Sequence, residues 1–134
     1  MNQNEERAEV FFDTLRMELP AYITELEREA VRDEVPVIRR AVRDLLRYLL
    51  RVNRPKKVLE VGTAVGYSAL FMKECLPAAS RITTIEKVEM RLVKARENFE
   101  MYDREKRIRL VEGDACEKLV EMADREDSFD FIFM

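Results

Sequence analysis

Two carboxylates and two glycines have the types and the spacing of a small-ligand site. Glu60 stands two residues before Gly62, and Gly66 follows in the stretch "VLEVGTAVGYS". Because glycine has no Cβ, the backbone there can take unusual φ values and let a ligand lie against it. A carboxylate beside such a turn would repel a phosphate and suits a cationic ligand. The alternative is a tight strand-to-helix turn that binds nothing.

The spacing of these groups also indicates which ligand would fit. The pattern E-x-G-x-x-x-G differs from the G-x-G-x-x-G that grips a dinucleotide pyrophosphate. Glu86 ends a second apolar run, 24 residues after Gly62, where its carboxylate can accept both hydroxyls of a ribose. The sequence "GDA", Gly113 to Ala115, ends a third run, where an adenine would lie. A nucleoside with a positive charge and no phosphate indicates S-adenosylmethionine.

Strands that alternate with helices position these groups. The runs "KVLEV", "RITTIE", "RIRLVEGD" and "FDFIFM" predict four strands after Pro55. Helical patterns separate them, at Tyr67 to Cys75, at Val88, Leu92, Ala95 and Phe99, and at Ala115 to Met122. Such alternation predicts an α/β fold with right-handed crossovers and a parallel sheet. Ligands of these sheets bind beyond the carboxyl ends of the strands.

Helical patterns also fill the N-terminal part of the chain. A first helix is predicted from Ala8, Phe11, Phe12, Leu15 and Leu19, ending at Pro20, and a second from Tyr22, Ile23, Leu26 and Ala30. A third helix is predicted with Pro36 in its first turn and an apolar face made of Ile38, Ala41, Val42, Leu45, Leu46 and Leu49. We expect residues 1–35 to form a helical lid and residues 36–134 to carry the α/β domain.

Composition restricts the class of protein. With 134 residues, 47% of them hydrophobic and 38% charged, the chain fits one soluble globular domain. It has no apolar run long enough for a membrane span and opens with no secretory signal, so a cytoplasmic location is expected. Cys75 and Cys116 fit no metal spacing and are expected to be reduced thiols rather than a functional pair. Without histidine, a general base must be another residue type or lie outside this chain.

Three segments carry a family resemblance. "VLEVGTAVGYSAL", "ITTIEKVEM" and "LVEGDA" resemble the cofactor motifs of class I S-adenosylmethionine-dependent O-methyltransferases of the catechol and caffeoyl-CoA type. With "VPVIRRAVRDLLRYLLRVNRPKKVLE" before them, they most resemble the bacterial branch that methylates 5-hydroxyuridine in tRNA. The match runs from about Val35 to Met134. It implies a Rossmann-like three-layer sandwich, here with its first four strands and an N-terminal helical lid.

The resemblance implies a role for individual residues at the methionine end of the cofactor. Glu60 and Gly62 would lie along that end, and Ser68 would hydrogen-bond its carboxylate at a helix N-terminus. Ile38 would close over the cofactor from the lid side. Ile38 as plain core and Ser68 as a helix cap are the structural alternatives.

At the nucleoside end, the resemblance assigns three residues. Glu86 would take the ribose hydroxyls, while Asp114 and the backbone of Ala115 would meet the adenine. The same strand, glycine turn and terminal acid also occur in nicotinamide-dependent oxidoreductases. The missing third glycine and the presence of Glu60 argue against that class.

The end of the sequence departs from the family pattern. Relatives continue after the fourth strand into a metal-binding Asp and a Lys that handles the substrate hydroxyl, and this sequence stops at "FDFIFM". No catalytic residue and no metal ligand of the family is therefore expected in this chain. A divalent metal, Mg, is expected only in a full-length enzyme. The chain looks truncated and inactive alone, with a non-catalytic binding module as the alternative.

A basic block suggests a partner. Arg39, Arg43, Arg47 and Arg51 recur at i, i+4 and are predicted to form a stripe opposite the apolar face of the third helix. Such a stripe could bind the tRNA backbone by counterion release. The alternatives are a solvated helix face and a dimer surface, since a homodimer is expected. The acceptor therefore stays open between tRNA and a catechol-like small molecule.

Overall fold

The computed structural model describes residues 2–5, 8, 12 and 18–134. Five helices and four strands follow within the last of these ranges: α1 (Ala21–Arg32), α2 (Arg40–Asn53), β1 (Lys57–Val61), α3 (Tyr67–Cys75), β2 (Arg81–Glu86), α4 (Glu89–Tyr102), β3 (Ile108–Glu112), α5 (Ala115–Asp124) and β4 (Phe131–Phe133). Of the predicted first helix, Phe11 and Leu15 lie outside the described residues. No helix of the described part is long and apolar enough to cross a bilayer.

The strands form one parallel sheet in the order β3-β2-β1-β4. This confirms the predicted α/β fold with a parallel sheet. In the register of the sheet, Glu60 lies beside Thr84, and Glu86 lies beside Glu112. The carboxyl ends of β1, β2 and β3 therefore meet at one edge. Both predicted ligand-binding carboxylates belong to that edge.

Helices cover the two faces of the sheet unequally. On one face, α1 to α4 pack against Val58 and Ile82 in the main core, which Leu50, Leu70 and Phe71 fill without exposure. On the other face, α5 places Met122 against Leu59 and Ile85. Side chains of successive strand residues alternate between these two cores, as the pleat requires. The result is the predicted three-layer sandwich.

The start of α2 differs from the sequence prediction. The helix begins at Arg40 rather than around Pro36, and Arg39 before it has extended backbone with φ -68° and ψ 153°. Residues 35–39 form a non-helical connector, and the first hydrogen bond of the helix runs from the Arg43 amide to the Arg39 carbonyl at 2.9 Å. Ile38 therefore lies in this connector and not in the helix.

The buried face of α2 is only in part the predicted one: Leu46 is buried as predicted, but other members of that face are not. Val42 and Leu45 are 43% and 52% exposed, whereas Arg47 is only 5% exposed and lies beside buried Leu46 and Leu50. Arginine can line a core because its long apolar stem packs while its head finds a partner. The Arg47 guanidinium lies 5.7 Å from the centre of the Phe71 ring. The prediction of an exposed stripe opposite the apolar face is therefore wrong for this helix.

Candidate cofactor-binding site

The turn between β1 and α3 takes the conformation that its glycines permit. Gly62 has φ 96° and Gly66 has φ 91°, both in the region that side chains avoid. The amides of Gly62 and Thr63 both donate to the carbonyl of Ile85, at 2.9 and 3.1 Å, which holds the turn against the end of β2. A Cβ on Gly66 would lie 2.7 Å from the Phe99 ring. Gly66 is thus needed for packing, while Gly62 leaves open space above the backbone.

A pocket of about 260 Å³ opens on this turn. Its walls are the turn, the connector before α2 and the end of β4: Pro36, Val37, Ile38, Val61, Gly62, Thr63, Ala64, Val65, Tyr67, Ser68, Phe133 and Met134. Another pocket of about 270 Å³, lined in part by Lys57, Arg81 and Arg109, lies at the opposite ends of the strands. The first pocket is the candidate site because it lies beyond the carboxyl ends, where parallel sheets bind ligands.

Glu60 lies behind the turn rather than on the pocket wall. Its side chain is buried, with 1% exposure, and accepts hydrogen bonds from the hydroxyls of Ser68 and Thr84, the latter at 2.6 Å. Burial raises the pKa of Glu60 to about 7, against the opposing effect of these two hydrogen bonds. Direct contact between Glu60 and a cofactor stays a prediction. In this structure Glu60 contacts Ser68, and Ser68 lines the pocket.

Glu86 anchors the turn to the end of β2. Its carboxylate accepts the backbone N–H of Ala64 at 2.9 Å, of Lys87 at 2.9 Å and of Val88 at 3.0 Å. An ionised carboxylate has about four acceptor positions, so these three donors leave room for a ribose hydroxyl. The side chain is 7% exposed. The three hydrogen bonds therefore hold the Glu86 carboxylate in place, as its predicted role in binding ribose requires.

The predicted adenine residues lie at the next strand end. Asp114 caps α5 by accepting the N–H of Cys116 at 2.9 Å, and the Lys87 ammonium lies 3.2 Å from its carboxylate. Lys87 lowers the pKa of Asp114, as do the backbone donors of the cap. The Gly113 amide donates to the Glu86 carbonyl at 2.9 Å, and this bond joins the two strand ends. Ala115 is the first residue of α5, so its amide belongs to the helix N-terminus.

The structure thus brings most of the predicted residues to one edge of the sheet. Ile38, Gly62 and Ser68 line the pocket, and Glu86, Asp114 and Ala115 follow along the neighbouring strand ends. Sequence reasoning missed Tyr67 on the pocket wall and Thr84 beneath it. Strand alternation carries the signal for Thr84, because it lies on the same face of β2 as Glu86.

The four arginines of the predicted RNA stripe do not share one surface. Arg39 is exposed, and Arg51 is partly exposed. Arg47 is buried, and the Arg43 side chain is 15% exposed and paired with Glu27 at 3.0 Å. RNA binding by these residues stays a prediction, but Arg43 and Arg47 face the protein. In the described part of the chain, no three Asp, Glu, Cys or His side chains come together as a metal site.

Comparisons with known proteins agree with this geometry. A family model described as O-methyltransferase matches residues 14–134. The chain belongs to the S-adenosylmethionine-dependent O-methyltransferase family. The O-methyltransferase ankF of Aspergillus thermomutatus is 38% identical over 88 residues, which are 65% of this chain and 36% of that protein. The catechol O-methyltransferase of Niastella koreensis is 28% identical over 90 residues, or 66% of this chain and 41% of that protein.

Solved O-methyltransferase structures share the fold. A caffeoyl-CoA O-methyltransferase candidate from Staphylococcus aureus superposes with a TM-score of 0.76 at 30% identity, over 98% of this chain and 59% of that one. The methyltransferase PaMTH1 of Podospora anserina, solved with S-adenosylhomocysteine bound, gives a TM-score of 0.74 at 27% identity, over 98% of this chain and 57% of that one. The chain therefore spans less than half the length of these curated relatives and under two thirds of these solved chains.

Proposed function

We propose that the protein containing this chain transfers a methyl group from S-adenosylmethionine to a hydroxyl acceptor. The observation that carries the proposal is the edge where the glycine turn, its pocket and the anchored Glu86 meet. The methionine end of the cofactor would lie against Gly62 and Ser68, under Ile38. The ribose would bind Glu86, and the adenine would lie beside Asp114 and Ala115.

The bound cofactor would supply an electrophilic methyl group on a positively charged sulfur. The chain's own contribution is to orient that group and to shield it from water. Two neutral hydroxyls, of Ser68 and Thr84, and the buried Glu60 make the wall behind the turn polar without an exposed charge. The chain contains no histidine, and we propose that an acceptor-activating base and Mg belong to the full-length enzyme.

A small hydroxyl-bearing molecule of the catechol type is the better supported acceptor. A catechol O-methyltransferase is among the similar proteins, and the side chains of Arg43 and Arg47 are mostly buried against the protein. The tRNA 5-hydroxyuridine acceptor is the second candidate. The observation that supports it is the exposure of Arg39 and Arg40 at the start of α2 and of Arg54 and Lys56 after its end, since exposed cations can bind phosphates.

Calorimetry with S-adenosylhomocysteine tests the cofactor site. The protein should bind it, and Glu86→Ala should weaken binding, since one charge-assisted hydrogen bond to a ribose hydroxyl contributes about 1.5–3 kcal/mol. Glu89→Ala is the matched control, because Glu89 is an exposed glutamate, 75% by side chain, at the start of α4. No binding by the parent protein would refute the cofactor proposal. Unchanged affinity in Glu86→Ala would refute the ribose assignment.

Methylation assays on the full-length protein distinguish the acceptors. Radiolabelled methyl transfer to a catechol panel is expected, while nucleoside mass spectrometry of tRNA should show the same modifications with and without the gene. Loss of a methylated 5-hydroxyuridine nucleoside in cells that lack the gene would instead establish the RNA acceptor. Transfer to neither acceptor would refute both.

A further inference from the structure

One guanidinium joins three helices behind the pocket. Arg43 on α2 places Nη1 3.0 Å from the Glu27 carboxylate on α1 and 3.3 Å from the Tyr67 hydroxyl on α3. The Arg43 side chain is 15% exposed and the Glu27 side chain 32%, so water screens this pair only in part. Tyr67 is 2% exposed.

The contact with Tyr67 is a hydrogen bond to a neutral phenol. Burial raises the pKa of Tyr67, although the neighbouring Arg43 opposes this effect. The charge of Arg43 is therefore balanced by Glu27 rather than by Tyr67. Arg43, which belongs to α2, thus links α1 to Tyr67, the first residue of α3.

The location of this link relates it to the cofactor pocket. Tyr67 lines the pocket and stands between Gly66 and Ser68 in the glycine turn. The connector of residues 33–39 runs from α1 to α2 and contributes three pocket-lining residues, Pro36, Val37 and Ile38. Arg43 ties the helices on both sides of this connector to each other and to the turn. It does not itself line the pocket.

We propose that Arg43 is a positioning residue that holds the connector over the bound cofactor and couples cofactor binding to the stability of α1. The inference rests on the proposed cofactor site. A cofactor in the pocket packs between the connector and Tyr67 and restricts the motion of both. Because Arg43 contacts both Tyr67 and Glu27, the motion of α1 is then restricted as well. Because coupling is reciprocal, the attachment of α1 must raise cofactor affinity by the factor by which the cofactor stabilises α1.

Hydrogen exchange with S-adenosylhomocysteine as the probe tests the coupling. In the parent protein, the ligand should slow exchange of the α1 amides as well as those of the glycine turn. In Arg43→Met, the ligand should still protect the turn but no longer α1, and its Kd should rise about tenfold. A merely structural ion pair would change the stability of α1 equally with and without ligand.

Two further variants sharpen the test. Tyr67→Phe removes only the hydroxyl and should reproduce the loss of coupling, so it decides the question if Arg43→Met does not fold. Arg28→Met is the control: Arg28 lies on α1, its side chain is 70% exposed, and it pairs with Glu25. This variant should keep the affinity of the parent and the ligand-dependent protection of α1.

The possible failures are distinct. A parent protein that binds no S-adenosylhomocysteine would overturn the proposed function and this inference together. A parent that binds it, while Arg43→Met and Tyr67→Phe keep full affinity and ligand-dependent protection of α1, would overturn this inference alone.

Discussion

Glu60 and Glu86 lie at the carboxyl ends of neighbouring strands, and the two carboxyl groups have different surroundings. Glu60 is buried in the core, where its carboxyl group accepts hydrogen bonds from the side-chain hydroxyls of Ser68 and Thr84. Glu86 accepts hydrogen bonds from three backbone amides. A carboxyl group pays a large desolvation cost when it ionises without a cation or amide donors. We therefore expect Glu60 to respond to pH within the neutral range.

The expected consequence is a pH-dependent stability that Glu60→Gln removes. Glu60 has an ordinary pKa of 4.5 when unfolded and about 7 when folded, so the folded state binds more protons between these values. Its stabilising contribution is complete below pH 4.5 and is lost as the pH rises through 7. The unfolding free energy of Glu60→Gln minus that of the parent should therefore increase by about 2–3 kcal/mol as the pH is raised from 4.5 to 8.

Urea unfolding at a series of pH values measures this difference. Glu100→Gln is the control, because it makes the same substitution at an exposed glutamate on α4. Parallel stability curves for Glu60→Gln and the parent would show that Glu60 does not titrate in this range.

At the scale of elements, the glycine turn separates a packing role from a ligand role. A Cβ at Gly66 would meet the Phe99 ring at 2.7 Å, while a Cβ at Gly62 would meet nothing within 4 Å. Both positions have positive φ, so alanine costs about 1 kcal/mol of strain at either. Gly66→Ala should lose more unfolding free energy than Gly62→Ala, by about 1 kcal/mol or more, since the buried ring must move.

Chemical denaturation and calorimetry together test this division. Gly62→Ala should mainly weaken S-adenosylhomocysteine binding, because its Cβ projects into open space at the pocket. Equal losses of stability in the two variants would contradict the packing role of Gly66. Equal losses of cofactor affinity would contradict the ligand role of Gly62.

The strands could be predicted closely from the sequence, whereas the orientation of α2 could not. "KVLEV" and "RITTIE" coincide with β1 and β2, because their short length and their β-branched residues favour strands over helices. In α2, leucines and arginines both recur at helical spacing, so two faces compete for burial. Partners on other elements decide which face is buried, since Arg43 pairs with Glu27 on α1 and Arg47 lies over the ring of Phe71 on α3. Periodicity alone contains no information about such partners.

The same inward orientation predicts the effect of charge reversal on α2. Arg47→Glu should cost about 3 kcal/mol or more of unfolding free energy, because it buries a carboxylate over the Phe71 ring. Arg40→Glu, at the exposed start of the helix, should change stability by no more than about 0.5 kcal/mol. Thermal and urea unfolding measure both. A tolerated Arg47→Glu would restore the interpretation of Arg47 as a surface residue available to RNA.

At the scale of the whole molecule, the sheet ends in a short edge strand with exposed apolar groups. Within the described residues, β4 pairs only with β1. Ile132 in this strand is 57% exposed, and Met134 just after it is 85% exposed. Another exposed apolar surface, with Val42 and Leu45, lies on α2. Unpaired strand edges and apolar patches favour association. We propose that the chain forms a dimer or a larger species through one of these two surfaces.

Light scattering across a concentration series should show association of the 134-residue chain, and Ile132→Lys should weaken it. A lysine at the edge opposes strand pairing because its charge would have to be desolvated between two sheets. Met90→Lys is the control, since Met90 is 86% exposed on α4, away from the edge, and should leave association unchanged. If Ile132→Lys associates like the parent while Leu45→Lys does not, the contact lies on α2. A monomer at every concentration would refute association through either surface.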